Sequence, residues 1–483
     1  MSLARSLTSS MALLAAGRVL SILIALATIA VLTRALGPEE FGYFRTAVAY
    51  LSLAMLIGGL GLNTIVVREL SRPKADQPRI LGNALALRLS LSSTAVAGGC
   101  LLAWLLPLDP DARRCIMIGS FGFVCYAGHM MLLGFFQQRL RQAGAVLAEI
   151  VGALVLLGAV LLLARIGAPV TYFVLGQALA FAAMLAVSWI AAWRIQRFRP
   201  RADLPYWRTI LGRAAPLAGV DTLNLFYART DTPLLALWGT SADVGLYGVA
   251  SKIYDTCLGL SMLFVGLLGP ILGRRAHVDP VGFREFLAAG WGLLMAGAVG
   301  VALMLWSFAP EFVTIIAGST FSDSAGALRV FSLLIVIGPT RVLFRDVAAM
   351  LDLQHRLIAG SIVGAVVGLA AYALLIPRFG AVGAATALLL AELAVCAQAA
   401  IVLSSAGGTR LSFRAPLLAI GCGLAGALAI EVMRRLGLAW PAALVLGGLG
   451  YAALLVATGI VRPREWLLVL RGQTRSEPKA GAP

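Results

Sequence analysis

Lysine and histidine are nearly absent from this chain: 483 residues hold three of each, Lys74, Lys252 and Lys479, and His129, His277 and His355. No lysine follows glycine in a G-x-x-x-x-G-K-[ST] pattern, so the phosphate-cradling loop of an ATPase is missing, and no step driven directly by ATP is expected of this chain. The histidines lie over 70 residues apart with no HExxH or Cys/His cluster, which leaves a zinc site without support. Six cysteines, Cys100, Cys115, Cys125, Cys257, Cys396 and Cys422, form no CxxC pair and fall in or near apolar stretches, where they read as small buried hydrophobes. No catalytic group, metal or cofactor is expected, and the chain does not read as an enzyme.

Charge is scarce as well. Charged residues make up 13% of the chain and apolar ones 60%, with mean hydropathy +0.91, against about a quarter charged in a soluble domain. What fills the space is a series of apolar stretches of about 20 residues, the length a bilayer-spanning helix needs. Fourteen spans are expected, centred near Leu23, Leu53, Thr94, Cys125, Leu156, Leu179, Phe226, Leu258, Ala298, Ile337, Gly364, Leu388, Gly423 and Leu449. Segments such as "EIVGALVLLGAVLLLA" are continuously apolar and rich in Gly and Ala, as in packed membrane helices. They lack the two-residue alternation of an outer-membrane barrel. Trp104, Trp189, Trp193, Trp238, Trp306 and Trp440 mark several span ends, where an interfacial aromatic belt lies. The start "MSLARSLTSSMALLAAGRVL" lacks a clear small-residue cleavage site and reads as the first span.

Lysines and arginines set the orientation. With the N-terminus in the cytoplasm, the cytoplasmic segments hold 25, and the outer gaps hold nine: Arg34, Arg45, Arg113, Arg114, Arg165, Arg329, Arg378, Arg434 and Arg435. Both termini are therefore expected inside. The net charge of +17 describes a basic inner face meeting anionic lipid headgroups, and no nucleic-acid partner is expected.

Five cations remain within spans: Arg18, Arg88, Arg229, Lys252 and Arg341, joined by the acids Glu149, Asp221, Asp231, Asp255 and Glu392. Each cation would cost about 2.5 to 3.5 kcal/mol at the centre of a lipid-facing helix, so these groups should face protein or a watery cavity. Structural ion pairs are one reading of any single charge; for the whole set a polar cavity is the expectation. The stretch "DTLNLFYARTDTPLLALWG" (221–239) concentrates the problem, with Asp221, Asn224, Arg229 and Asp231 in eleven positions. Arg229 and Asp231 are two apart and point in different directions on a helix, so they need separate partners. Asp255, three after Lys252, can pair with it. Arg88 and Arg341 lie nearer the cytoplasmic ends and can snorkel. Glu392 has no cation beside it in sequence.

Two internal matches suggest a repeat. "GPEEFGYFRTAVAYLSL" from Gly37 resembles "SADVGLYGVASKIYDTCLGL" from Ser241 when Gly42 is set on Gly245, an offset of 203. "ARIGAPVTYFVLGQA" resembles "PRFGAVGAATALLLA" at an offset of 213. Both pair a span with the sixth span after it. The expected fold is all-α and polytopic, with two parallel six-helix lobes at 1–205 and 206–405, two added spans at 406–462 and a cytoplasmic tail at 463–483. Lobes repeated in parallel orientation are related about the membrane normal, with a binding site between them. The 203 offset sets Arg18 on Asp221, opposite charges at related positions that would suit a closure pair. "RFRPRADLPYWRTILGR" (197–213) reads as a linker lying on the cytoplasmic headgroups rather than a substrate gate.

"GRVLSILIALATIAVLTRALGPEEFGYFRTAVAYLSLAMLIGGLGLNTIVVREL" resembles the opening of polysaccharide-transport flippases of the multidrug/oligosaccharidyl-lipid/polysaccharide superfamily. The resemblance continues through "RTDTPLLALWGTSADVGLYGVASKIYD" and "IPRFGAVGAATALLLAE" and covers most of the chain. It implies a multi-pass protein of the bacterial inner membrane that moves undecaprenyl-pyrophosphate-linked oligosaccharide from the inner to the outer leaflet by alternating access, for O-antigen, capsule or exopolysaccharide synthesis. The implied partners are the lipid-linked oligosaccharide, membrane lipids, a coupling ion (proton or sodium) and polysaccharide polymerases. Arg18, Arg229 and Lys252, with Arg88 and Arg341 behind them, would receive the pyrophosphate, since Arg offers bidentate contacts and Lys a compact charge. The acids would keep the cavity hydrated or carry the ion. Rival readings are a lipid II flippase, a multidrug exporter of the same superfamily and, more remotely, a membrane-embedded polysaccharide polymerase. The polymerase would need a sizeable outer loop, and the longest here, 309–327, is short.

The charge count makes a direct prediction. A reporter fused after Gly239 should signal outside the cytoplasm, and one fused after Arg410 inside; the reverse pattern would overturn the orientation.

Overall fold

The computed structural model describes residues 3–59, 61–73, 75–139, 142–213, 229–276, 278–405 and 411–460, with side chains described at Gly17 and from residue 20 onward. Asp221, Asn224, the span centre Phe226, His277, Arg410 and the tail 463–483 lie outside these residues, as does the side chain of Arg18. The described residues are almost wholly helical. They form α1 (Leu3–Ile57), α2 (Leu62–Leu70), α3 (Gln77–Leu105), α4 (Pro110–Gln138), α5 (Ala143–Arg165), α6 (Val170–Ile195), α7 (204–213), α8 (Asp231–Trp238) and α9 (Ser241–Ala276). These are followed by α10 (Pro280–Ser307), α11 (Ala309–Ala317), α12 (Ser324–Met350), α13 (Leu357–Ser405), α14 (Arg414–Arg435) and α15 (Trp440–Ala457).

Eleven of these helices are long and apolar enough to cross a membrane. Two are double: α1 breaks at Gly37 (φ 71°) beside Pro38, and α13 at Gly380 (φ 50°) after Pro377. Proline removes a helical N–H, and the left-handed backbone that follows is open to glycine at little steric cost. Thirteen of the fourteen expected centres thus fall in described helices. Trp104, Trp193, Trp238, Trp306 and Trp440 are exposed, as belt residues would be. The stretch 309–327, expected as the longest outer loop, folds as α11, a short 3-10 turn at Ser319–Phe321 and the start of α12.

The chain divides into two contact units. The first comprises Met1–Ala250, Val313–Ala327 and Ala365–Leu388. Within it α4 packs on α3 and α6, and α5 on α1 and α6. The amphipathic α2 buries Leu62, Ile65, Val66, Glu69 and Leu70, one stripe at helical spacing. The buried Glu69 holds Arg72 at 2.9 Å and Arg213 of α7 at 2.8 Å. Phe198 and Ile210 join the same apolar core, so the linker after α6 is bound to this unit and not loose. The second unit comprises Ser251–Phe312, Leu328–Gly364 and Leu389–Pro483. In it α14 packs on α10 and α15, around Trp291, Phe344, Leu303 and Tyr451.

Where α1 resumes after its break, its backbone crosses the start of α9 within the first unit. A Cβ on Gly42 would overlap the carbonyl oxygen of Ser241, and one on Gly245 would overlap that of Pro38. Residue 38 plus 203 is 241, and 42 plus 203 is 245, so the contact is reciprocal at the repeat offset. That is the signature of a local two-fold axis, on which one segment meets its own equivalent. At the second match the equivalent glycines, Gly167 (φ 61°) and Gly380 (φ 50°), share the left-handed conformation.

The crossing predicts the cost of filling it. Gly42→Ala puts a methyl into a backbone carbonyl that cannot rotate away, and should destabilise the detergent-solubilised protein by about 1–3 kcal/mol. Gly98→Ala meets nothing within 4 Å and should be neutral or slightly stabilising. Equal melting temperatures for the two variants would contradict the crossing.

Candidate functional site

The charged stretch 221–239 is described from Arg229 onward. Asp231 opens α8, and its carboxylate accepts the Thr232 N–H at 2.7 Å and the Tyr247 hydroxyl at 2.5 Å. Tyr247 is fully buried on α9. Asp231 therefore has the separate partner that the two-residue spacing requires. Arg229, one residue before Thr230, is exposed and makes no ion pair among the described residues.

In the second unit, Arg341 of α12 forms an ion pair with Glu392 of α13, the carboxylate being only 6% exposed. Two sequence expectations change here. Arg341 does not snorkel but turns inward to a carboxylate 51 positions away. Glu392, which has no cation beside it in sequence, is given one by the packing of two helices. A carboxylate so engaged is a poor proton carrier, because neutralising it would strand a guanidinium in the helix bundle.

Arg88 does not snorkel either. It is 5% exposed, and its guanidinium lies against the turn between α1 and α2, where a Cβ on Gly59 would stand 2.5 Å from Nη1. Lys252 is partly buried on α9, whereas Asp255 one turn later is exposed and makes no ion pair among the described residues; the local Lys252–Asp255 bridge does not form. Glu149 is partly buried on α5. Of Arg18 only the helical backbone is described, and Asp221 is outside the described residues. Of the expected site residues, Arg341 and Glu392 are brought together as an ion pair. His129, read from sequence as interfacial or core, is core: it is fully buried on α4 with Nδ1 2.7 Å from the Ser188 hydroxyl oxygen.

Two residues escaped the sequence reading. Tyr247 holds Asp231, and its only signal was its place in the repeat match, "GLYGVAS". Arg45, counted as an outer-gap residue, sits inside the second half of α1, with its side chain against Gly248 at 2.8 Å from a Cβ there. Residue 45 plus 203 is 248, so Arg45 meets its own repeat equivalent and lies on the local two-fold. The repeat alignment could have identified it: a charge set opposite a glycine at equivalent positions.

The second unit also carries an apolar groove of about 490 Å³, lined by residues of α10, α12, α13 and α14, among them Leu303, Trp306, Val336, Leu393 and Leu424. Such a surface suits a hydrocarbon chain and not a sugar.

Residues 7–274 match the family described as polysaccharide biosynthesis protein. No curated protein matches the chain in sequence. Among solved structures, the lipid II flippase MurJ in an inward closed conformation is similar in fold, with TM-score 0.73, 12% identity, and coverage of 93% of this chain and 98% of that one. A multidrug resistance MATE-family transporter of the MOP superfamily, inward-facing, gives TM-score 0.59 at 15% identity, with 79% and 93% covered. A MOP-superfamily transporter from Pyrococcus furiosus gives 0.56 at 15% identity, with 80% and 92% covered. At these identities the likeness is one of fold.

The Arg341–Glu392 pair can be tested by a double-mutant cycle. Arg341→Gln or Glu392→Gln alone leaves one charge buried without its counterion and should cost about 3 kcal/mol of stability, while the double variant should cost clearly less. Additive losses in thermal unfolding would show that the two side chains do not interact.

Proposed function

Because the chain belongs to the polysaccharide biosynthesis protein family, we propose that it is a flippase for undecaprenyl-pyrophosphate-linked oligosaccharide. It moves this lipid from the inner to the outer leaflet of a bacterial cytoplasmic membrane, in which both of its termini face the cytoplasm. The observation that carries the reading is the family match over residues 7–274 on a fold shared with a lipid II flippase. Alternating access would run between lobes at 1–205 and 206–405, with 406–462 as added spans. The reciprocal Gly42/Gly245 contact and the paired left-handed glycines at 167 and 380 support that division.

The chemistry fits the charges. A pyrophosphate crossing hydrocarbon needs fixed cations to replace its lost hydration, and Arg does so with a planar fork. Arg229 is the leading candidate because its neighbour Asp231 is already engaged by Tyr247. Arg18 and Lys252, on the first and eighth spans, are proposed beside it. The polyprenyl tail needs no aqueous path, and the apolar groove of the second unit offers it a surface. Uphill movement would draw on a proton or sodium gradient or on consumption of the product by a polymerase. Of the described membrane acids, Asp255, exposed and with no ion pair among the described residues, is a better candidate carrier than Glu392, which is held by Arg341.

Lipid II is the second reading, favoured by the MurJ fold. At 12% identity that likeness does not carry the substrate across, whereas the family match points to polysaccharide synthesis.

Arg229→Ala should abolish flipping, leaving lipid-linked glycan on the inner leaflet at near-normal protein abundance. Adding Asp231→Asn should not restore it, since Asp231 bonds Tyr247 and not Arg229. Full transport by Arg229→Ala, or recovery in the double variant, would count against phosphate binding at this residue.

A further inference from the structure

The segment joining α6 to α7 is built more firmly than a linker requires. Residues 197–203 carry no helix or strand and lie across the first turns of α3. The Arg199 carbonyl occupies the space where Gly82 would carry a Cβ, and the Arg201 N–H donates to the Gly82 carbonyl at 3.4 Å. The Asp203 N–H donates to the buried Asn83 Oδ1 at 3.0 Å, while Asn83 Nδ2 donates to the Arg79 carbonyl at 3.0 Å. The Asp203 carboxylate takes Arg79 Nη2 at 2.7 Å, a contact that holds its carboxyl below the usual range. Phe198 is anchored beneath, its ring 5.4 Å from that of Trp189.

Phe198 is turned into the core, while Arg197, Arg199 and Arg201 are exposed. Together with Arg79 they line an open cavity of about 390 Å³, which Trp193 and Asp76 also border. Arg197 stacks 5.3 Å from the Trp193 ring. Asp76 caps the Arg79 N–H and Asp203 pairs with Arg79, so four guanidiniums face two carboxylates. Arg197, Arg199 and Arg201 make no ion pair among the described residues. The cavity lies where α3 begins and α6 ends, at one end of each of two candidate spans, and Ile190 and Trp193 stand exposed on α6 beside it.

We propose that this cradle binds the phosphate headgroup of an anionic phospholipid, with the acyl chains lying along Ile190 and Trp193. Three unpaired forks at every second residue suit phosphate oxygens, which accept bidentate bonds from guanidinium. The site goes beyond the flippase reading and does not depend on what is transported; only its assignment to the cytoplasmic leaflet rests on the proposed orientation.

The test is native mass spectrometry of the full chain in detergent, titrated separately with phosphatidylglycerol, cardiolipin, phosphatidylcholine and farnesyl pyrophosphate. The wild type should retain one phosphatidylglycerol or cardiolipin tightly. Arg197→Gln/Arg199→Gln/Arg201→Gln should weaken that binding at least tenfold and leave phosphatidylcholine unchanged. Arg274→Gln/Arg356→Gln/Arg414→Gln, which removes equal charge elsewhere, should have little effect. Arg197→Lys, which keeps the charge without the fork, should fall between, and this single variant serves if the triple one does not fold. Equal loss in both triple variants, no loss in the first, or an Arg197-dependent preference for farnesyl pyrophosphate over the phospholipids would each overturn the proposal, the last by giving the cradle to the transported pyrophosphate. Because binding in detergent requires neither orientation nor flipping, its failure would leave the functional reading standing.

Discussion

Hydrocarbon cannot answer a charge or a peptide group with a hydrogen bond, and that constraint shapes where many polar groups of the described residues are found. Helix ends show it most plainly, since the last carbonyls of a helix have no partner within it. At the end of α3, Arg113 reaches back to the carbonyls of Ala103, Leu106 and Leu108 at 3.2, 3.4 and 3.3 Å. Where the first half of α1 ends, Arg34 donates to Ala30 at 3.1 Å and to Ile315 at 2.7 Å. Past α10, Arg434 donates to Ser307 at 2.5 Å and to Glu311 at 2.8 Å. All three were counted in the gaps expected outside. On the sparsely basic side of that count, three of the nine cations are therefore tied to helix termini, a role different from that of the exposed arginines after α6.

Within the spans the same constraint selects glycine wherever two backbones must meet. Gly42 and Gly245 let α1 and α9 cross with carbonyl oxygens in the space of the missing side chains. Van der Waals contact between small residues is a principal source of helix affinity in lipid, where no hydrophobic difference draws helices together. A reciprocal contact at the repeat offset has a further consequence: it places Arg45 beside Gly248, on the axis itself, so that one copy of the repeat supplies the cation and the other the room for it.

The number, type and order of the spans were legible because continuous apolarity over about 20 residues is a local property. The breaks were legible in principle, as "LGPEEFG" and "IPRFGAV" join proline to glycine at the bends. What sequence did not disclose was pairing between distant helices. Glu392 meets Arg341 across 51 positions, and Asp231 meets Tyr247 across 16 and a change of helix, because both depend on the rotation of one helix against another. Local spacing misled where it was used alone. Lys252 and Asp255 are correctly spaced for an i,i+3 bridge, yet Asp255 turns to the exposed side. Arg88, near a span end, packs under the α1–α2 turn instead of rising to the headgroups.

These placements separate the membrane cations by how fully the protein has already answered them. Arg341 has a carboxylate in contact, whereas Arg88 is buried against a glycine turn with its Nε left without a hydrogen-bond partner among the described residues. A cation that receives a pyrophosphate must instead be held in position with its donors uncommitted, since ligand oxygens have to replace water and not a protein carboxylate. Arg229 meets that requirement through an indirect route. The nearest acid in sequence is drawn off by a buried tyrosine on α9, and the start of α8 is fixed by that same Asp231–Tyr247 bond. One hydrogen bond thus both fixes the start of α8 and engages the acid that would otherwise compete for the arginine beside it. The charge density of "ARTDTPLL" is in this light consistent with the proposed function: the aspartate fastens the helix, and the exposed arginine stays open to the pyrophosphate proposed to bind there.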